Sequence, residues 1–336
     1  MSGRFRYRLA LYIHGLHKVC GARFLTHAPF FISHLITSRC NANCQTCMWK
    51  GVTEDEEDTG KILDFYEQAK RVGFISTVFW GGEPLMREDM IDILTHCKRI
   101  GFVCGLITNG YFLPERCEEL SELLDFLIVS IDIPSEQLDA LRGVEGIFTH
   151  ATMGIDLFRQ ANPESKVIIN AVVSKLNYRH LDDLIDYAQE RSLSLNLDAM
   201  VSGPPDIDAL RLSSSLERRV FSKFIVKKRK GAPIVNSFSY LQMFAEGNQD
   251  YRCHRNEIAI RVLPNGDLTN CLFPSCPIGN VYEEDLVSLL NKPSYRFLQK
   301  IGTRCRRCVD AGTVESSLFW GFKPEVVFNT LRLFLT

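Results

Sequence analysis

The chain has 336 residues, which allows one large barrel or two domains, and its 46% apolar content is typical of a folded globular protein. The net charge of −1 gives no whole-molecule argument for a nucleic-acid partner. The sequence contains no uncharged apolar run approaching the roughly 20 residues that a membrane-spanning helix needs.

Residues 1–30 form a basic, amphipathic N-terminal segment. No acidic residue precedes Glu54, and basic residues interrupt the apolar stretch, so the sequence predicts no secretory signal. Apolar side chains recur at helical spacing along one face of this segment: Phe5, Leu9, Tyr12, Ile13 and Leu16. Such a helix either packs on the protein or lies in a membrane interface, and we favour packing. The same two alternatives hold for the apolar C-terminal segment, residues 313–336.

Between residues 31 and 198, short apolar segments rich in β-formers alternate with helical segments. The predicted strands are Phe31–Ser38, Phe74–Trp80, Phe102–Thr108, Phe126–Ile131, Lys166–Val173 and Leu193–Asp198. The predicted helices lie near residues 61–72, 87–100, 114–124, 146–160 and 180–191. This alternation indicates an α/β fold built from parallel βα units. A partial, open (βα)6 barrel and a doubly wound open sheet both fit it.

A cysteine-rich loop follows directly after the first predicted strand. Cys40, Cys44 and Cys47 lie within eight residues, and clustered cysteines in a reducing compartment indicate metal binding or catalysis more often than disulfides. Three thiolates can bind one face of a [4Fe–4S] cube and leave its fourth iron without a protein ligand. A zinc site without a local fourth ligand, or chance clustering, is the alternative.

Glycine-rich or polar motifs follow the next three predicted strands, at the edge where barrel active sites form. Two glycines after the second strand allow the backbone to approach a ligand closely, and the carboxylate beside them can meet an ammonium group. Taken singly, each motif is also explained as a turn or a cap. The residues in question are Gly81, Gly82, Glu83, Asn109, Ser130 and Asp132.

These motifs resemble the radical S-adenosylmethionine (SAM) superfamily, whose hallmark is CxxxCxxC after the first strand of a partial (βα)6 barrel. The resemblance covers residues 31–200. It implies an enzyme in which Cys40, Cys44 and Cys47 hold a [4Fe–4S] cluster that reductively cleaves SAM to a 5′-deoxyadenosyl radical, which abstracts hydrogen from a substrate. The SAM-binding residues that it implies are Gly81, Gly82, Glu83, Asn109, Ser130, Asp132, Arg142, Asn170 and Val172.

One position departs from the family pattern. An aromatic residue usually precedes the third cysteine, but this chain has Thr46 there. Trp49 lies close by in the sequence, and we expect it to contact the adenine in place of that aromatic residue.

After residue 198 the pattern changes to a helical linker over residues 201–249 and a cysteine-rich module over residues 250–312. An Asn265-Gly266 turn predicts a hairpin that brings Cys253 near Cys271. With Cys305 and Cys308, these four cysteines suit either Zn(Cys)₄ or a fully ligated [4Fe–4S] cluster.

The spacing Cys253-x₁₂-Gly266-x₄-Cys271 resembles the SPASM/twitch module of radical SAM enzymes. That resemblance implies one auxiliary [4Fe–4S] cluster, which assists electron transfer or substrate binding. Cys276 is left over as a spare thiol or an alternative ligand.

The sequence leaves the substrate open among a lipid or isoprenoid, a peptide and a small-molecule alcohol. The segment Pro233–Ser237 resembles one in radical enzymes of hopanoid lipid synthesis, and Asp198 at the end of the sixth strand is either a catalytic base or a helix cap. The resemblance also implies a low-potential electron donor such as flavodoxin or ferredoxin.

We expect a cytoplasmic protein, peripheral on the inner face of the membrane if the termini bind lipid. The competing function is a non-catalytic zinc or iron–sulfur protein that serves as an interaction platform. Gly81-Gly82-Glu83-Pro84 argues against it, because a platform has no need of this motif.

Overall fold

A computed structural model describes residues 21, 28–269, 277–306 and 308–335. The predicted N-terminal helical stripe, Cys271 and Cys276 lie outside these residues. Among the described residues, no helix is both long and apolar enough to cross a membrane.

Six parallel strands form the first part of the sheet. They are β1 (Phe31–Thr37), β2 (Ser76–Gly81), β3 (Val103–Thr108), β4 (Phe126–Ser130), β5 (Lys166–Val173) and β6 (Ser194–Ala199). Each coincides with a predicted strand to within two residues at either end, so those predictions are confirmed.

Helices connect the strands. They are α1 (Thr59–Val72), α2 (Met90–Arg99), α3 (Leu113–Leu123), α4 (Gln137–Arg142), α5 (Ile147–Ala161) and α6 (Leu181–Glu190), with a 3-10 turn at Pro84–Met86. Helix α1 shows how local sequence sets such boundaries. Asp58 accepts a hydrogen bond from the Lys61 N–H at its start, and Gly73 ends it with a φ of 108° that favours glycine.

The strand order decides between the two predicted architectures. Strands β6-β5-β4-β3-β2-β1 are neighbours in chain order, whereas a doubly wound sheet reverses direction at a switch point. Along β5, residues alternate between buried and half-buried, because one face packs beneath helices and the other faces an internal lumen. The fold is therefore a partial, open barrel.

The C-terminal part contains α7 (Pro205–Asp208), α8 (Ser214–Arg229), α9 (Phe238–Glu246), α10 (Arg255–Ile258), β7 (Ala259–Val262), β8 (Asp267–Thr269), β9 (Gly279–Asn280), α11 (Leu286–Asn291), α12 (Pro293–Gly302), α13 (Ala311–Trp320) and α14 (Pro324–Leu335). The predicted hairpin is present: β7 and β8 are antiparallel. Gly266 has a φ of 87° in the turn between them.

This cysteine-rich region is not detached from the barrel. Strand β7 pairs in parallel with β1, so β7, β8 and β9 extend the barrel sheet beyond its first strand. His34 on β1 joins the two parts further, because its ring nitrogens lie 3.0 Å from the Tyr66 and the Tyr282 hydroxyls. The sequence pattern indicates a separate module over residues 250–312, whereas in the structure its strands share one sheet with the barrel.

The C-terminal helix α14 packs on the protein at its N-terminal end. Val326 is fully buried, and the Asn329 side-chain amide donates to the Val235 carbonyl at 2.8 Å. These contacts agree with the packed alternative for the C-terminal segment.

Candidate functional site

The cysteine loop lies at the carboxyl end of β1, where it forms one wall of a cavity of about 1410 Å³. Cys40, Cys44 and Cys47 all line this cavity. Cys40 is exposed, and the other two are partly buried. Among the described residues, no group of three or more His, Cys, Asp or Glu side chains is placed to hold a single metal ion.

Hydrogen bonds from neighbouring elements hold the cysteine loop. The Asn43 and Gln45 N–H groups donate to the carbonyls of Arg142 and Leu141 at 2.8 and 3.1 Å, which fixes the loop against the end of α4. The Asn109 amide donates to the Asn41 side chain at 2.7 Å. The loop is therefore held from both α4 and the end of β3 before any cofactor binds.

The two glycines after β2 pack against the backbone that leads into the loop. Gly82 N–H donates to the Thr37 carbonyl at 2.8 Å and Glu83 N–H to the Arg39 carbonyl at 2.7 Å. A Cβ at Gly82 would lie 2.0 Å from the Arg39 carbonyl oxygen, and one at Gly81 would lie 2.3 Å from that of Thr37. These positions therefore require glycine, and the sequence reasoning missed that the close neighbour is the backbone that leads into the cysteine loop.

The structure brings most of the predicted SAM-binding residues to the cavity. Those that line it are Gly81, Gly82, Asn109, Ser130, Arg142, Asn170 and Val172. Thr46 and Trp49 line it as well, and the Trp49 ring meets the Trp80 ring edge-on at 5.9 Å. Motifs distant in the sequence converge here because parallel strands place their carboxyl ends at one edge.

Glu83 and Asp132 are placed behind the cavity wall, not in it. Glu83 is fully buried, and its carboxylate accepts from the Thr108 hydroxyl and the Asn109 N–H, both at 2.7 Å. Burial raises the pKa of Glu83 above its usual value, although these hydrogen bonds oppose the rise. The carboxylate thus joins the β2 motif to the end of β3.

Asp132 orients Arg142 towards the cysteine loop. Its carboxylate accepts from the Arg142 guanidinium at 2.5 Å and from the Val172 N–H at 2.9 Å. The guanidinium lies 4.0 Å from the Cys44 sulfur. Burial raises the pKa of Cys44, and the charge of Arg142 opposes that rise, so this cation favours the thiolate form that iron requires.

Arg87 is a buried side chain that hydrogen-bonds to several segments, a role that the sequence reasoning missed. Its side chain is 5% exposed and donates to the carbonyls of Ile36 and Glu57 and to the carboxylates of Glu56 and Asp89. These contacts attach the segment that follows the cysteine loop to the end of β1. An arginine in the middle of a turn motif gives no local signal of this role.

We expect Arg87→Met to lower the free energy of unfolding by about 3 kcal/mol, because it leaves buried acceptors without their donor. The variant should also retain less iron after anaerobic reconstitution, since the cysteine loop loses its anchor. Arg39→Met is the matched control: Arg39 also binds Glu56 but its side chain is 54% exposed, so its removal should cost under about 1 kcal/mol. Equal denaturation midpoints for the two variants would contradict this role.

A second group of cysteines lies apart from the cavity. Cys253 and Cys308 are buried and Cys305 is partly buried. All three lie near Tyr251, whose pKa is raised by burial and then by these thiols. The fourth cysteine predicted to join them, Cys271, lies outside the described residues.

Asp198 faces the cavity at the end of β6, as predicted. Its carboxylate accepts from the Ala311 N–H at 2.6 Å, and the Tyr240 hydroxyl lies 3.5 Å from the same oxygen. Burial, followed by the nearby Asp310 carboxylate, raises the pKa of Asp198 to about 8. The sequence reasoning missed Asp310, which also lines the cavity.

Comparisons with known proteins agree with this geometry. Residues 35–188 match the Radical SAM superfamily, and residues 253–309 match an iron-sulfur cluster-binding domain. The AdoMet-dependent heme synthase of Methanosarcina barkeri is 33% identical over 172 residues, which cover 49% of each chain. The probable GTP 3′,8-cyclase of Methanocella arvoryzae is 31% identical over 197 residues, covering 56% of this chain and 62% of that one.

Among solved structures, Streptococcus suis SuiB bound to its precursor peptide SuiA superposes with a TM-score of 0.66 at 18% identity. The superposition covers 90% of this chain and 76% of SuiB, and it shows a shared fold. The chain spans about half the length of the heme synthase it matches.

Proposed function

Because the chain belongs to the radical SAM superfamily and carries an auxiliary iron–sulfur domain, we propose that Cys40, Cys44 and Cys47 hold the [4Fe–4S] cluster to which SAM binds. The observation that carries this proposal is that the three thiols line one cavity together with the glycine pair, Asn109 and Arg142. Three soft sulfur donors on one wall suit iron–sulfur chemistry. The competing function, a non-catalytic interaction platform, does not explain why these residues line one cavity.

When bound and reduced, the cluster supplies the electron that cleaves SAM to methionine and a 5′-deoxyadenosyl radical, which abstracts hydrogen from the substrate. The protein binds and orients the cofactor and excludes water. We assign Arg142, held by Asp132 at 2.5 Å, to the carboxylate of SAM. Ser130 and Asn170 are neighbours across β4 and β5, and we assign them to the ribose and adenine side.

Glu83 acts in this proposal as a positioning residue. Its oxygens accept hydrogen bonds from Thr108, Asn109 and Leu85. We therefore assign the amino group of SAM to the backbone of Gly81 and Gly82, which lines the cavity. Trp49 lines the same cavity and is assigned to the adenine face.

We propose that residues 31–200 form the domain that cleaves SAM, and that residues 201–249 link it to the C-terminal domain. That domain, residues 250–312, holds the auxiliary cluster through Cys253, Cys271, Cys305 and Cys308. The donor set is four thiolates, as in fully ligated [4Fe–4S] sites. A low-potential donor such as flavodoxin or ferredoxin supplies the electrons.

The test is direct. Anaerobic reconstitution should give about eight iron ions per chain, four for each cluster, and reductant with SAM should release 5′-deoxyadenosine. A preparation that binds only zinc and releases no 5′-deoxyadenosine would overturn the proposal.

Asp198 is the proposed proton acceptor, and its raised pKa has a measurable consequence. Its carboxyl is neutral in both the folded and the unfolded chain below about pH 4, whereas the folded state keeps the proton up to about pH 8. The stability that Asp198 contributes is therefore lost as the pH rises from about 4 to 8. We expect Asp198→Asn to melt several degrees higher than the parent at pH 8 and close to it at pH 4. A difference that does not change with pH would contradict the raised pKa.

A further inference from the structure

The cavity behind the cysteine loop continues through the whole lumen of the barrel. Besides the cysteine end, its lining includes the first residues of the strands, among them Phe31, Ser76, Val103, Phe126 and Lys166. Lys166 and Val172 stand at opposite ends of the lumen on β5 and are six residues apart, which corresponds to about 20 Å along the strand. The volume of about 1410 Å³ exceeds the roughly 300–1,000 Å³ of a pocket for one small molecule, so the lumen has room for a substrate beside the cofactor.

The wall between the two ends is mainly apolar. Side chains that line it there include Leu35, Val78, Ile107 and Ile128. Several are only half-buried in the structure, including Ile107 and Ile128. The Phe126 ring lies against the backbone of Gly105, where a Cβ would lie 2.0 Å from it, so an apolar ring forms this part of the wall. A chain of methylene or isoprenoid groups gains free energy on such a wall.

The end of the lumen away from the cysteines carries charged side chains. Arg159, Lys166 and Arg255 line it together with Glu164 and Asp125. Asp125 is already bound to Lys98 at 2.7 Å. Three cations and two carboxylates of the described residues line this end, and Lys98 balances the charge of Asp125, so the rim carries a net positive charge that suits an anionic group.

We propose that the substrate is an elongated amphiphile whose apolar chain fills the lumen and whose anionic headgroup stays at the rim near Arg159, Lys166 and Arg255. This inference rests on the proposed function and selects one of the substrate classes that the sequence left open. A peptide is disfavoured because its backbone N–H and C=O groups would lose water against an apolar wall without hydrogen-bond partners. The lumen ends at the cysteine loop, so the chain would reach the site of hydrogen abstraction.

The test uses the reconstituted holoenzyme with SAM, under anaerobic conditions. The probe is dansylaminoundecanoic acid, which is displaced by octanoate, decanoate, dodecanoate and tetradecanoate in turn. We expect affinity to rise by about fourfold per methylene until the lumen is filled, and dodecanoate to bind more tightly than dodecyltrimethylammonium. Affinities independent of chain length, or stronger binding of the cation, would overturn the proposal.

Two variants that fill the rim end of the lumen show whether the carboxylates bind inside it. Ser76→Trp and Val103→Trp each place a large ring at the rim end, away from the cysteines, and should weaken dodecanoate binding by about tenfold or more. Val226→Trp is the matched control, because Val226 is 49% exposed on the outer helix α8, and it should bind like the parent. Equal binding by the plugged variants and the parent would show that the carboxylates occupy another surface.

Release of 5′-deoxyadenosine from the same samples separates the two claims. Release without chain binding would overturn the substrate class and leave the proposed function standing. Chain binding without release would overturn the proposed function.

Discussion

Replacing Cys44 with alanine is expected to reduce 5′-deoxyadenosine release by at least about 100-fold. Changes to residues that merely support a metal ligand typically cost about 10- to 100-fold, and this change removes a ligand. Among the described residues, the other thiols that line the cavity belong to Cys40 and Cys47, which are themselves proposed ligands, so neither is available to replace Cys44. The measurement is chromatography of the anaerobic reaction of reconstituted protein with SAM and dithionite.

Cys305→Ala is the matched control for this loss. Cys305 belongs to the second group of cysteines and does not line the cavity, so its removal should lower the iron content while sparing much of the release. Cleavage retained in Cys44→Ala would refute the assignment of the first cluster. Equal loss in both variants would show that the two groups of cysteines act as one site.

Gly82→Ala is expected to be nearly as damaging, although it removes no ligand. The added Cβ would lie 2.0 Å from the Arg39 carbonyl oxygen and 2.8 Å from that of Ser38. Because both neighbours are backbone, the cysteine loop itself must shift. We expect a loss of about 3 kcal/mol in the free energy of unfolding and iron retention far below that of the parent.

Gly60→Ala provides the comparison for this variant. Gly60 lies in the first turn of α1, and a Cβ there meets only the Asp58 side chain, at 3.1 Å. Alanine is the better helix former, so this variant should be as stable as the parent or slightly more stable. A Gly82→Ala protein with parental stability and full iron content would show that the close approach is not required.

The sequence predicted the six strands of the barrel well because the information that sets a strand is local. Each buried strand is a short apolar run, as at Lys166–Val173, and the longer helices carry their own periodicity, to which α1 adds the caps Asp58 and Gly73. The site motifs could be placed together because parallel strands end at one edge. The ends of β2, β3 and β4 therefore predicted a common site before any contact was known.

Contacts between distant segments were beyond such reasoning. Nothing in the short run Ala259–Val262 indicates that it pairs with β1 rather than with a strand of its own module. Likewise, a carboxylate in a glycine-rich motif suggests a group that binds the ligand. In the structure the Glu83 oxygens instead accept hydrogen bonds from Thr108, Asn109 and Leu85. The role of Arg87 depends on four partners spread over residues 36–89, and spacing cannot reveal them.

A crystal structure of the reconstituted protein with SAM, phased at the iron absorption edge, tests the central claim most directly. The account predicts an iron–sulfur cube held by the sulfurs of Cys40, Cys44 and Cys47, with its fourth iron bound by the amino and carboxylate groups of SAM. A fourth protein side chain on that iron, or a single zinc ion in place of the cube, would contradict it.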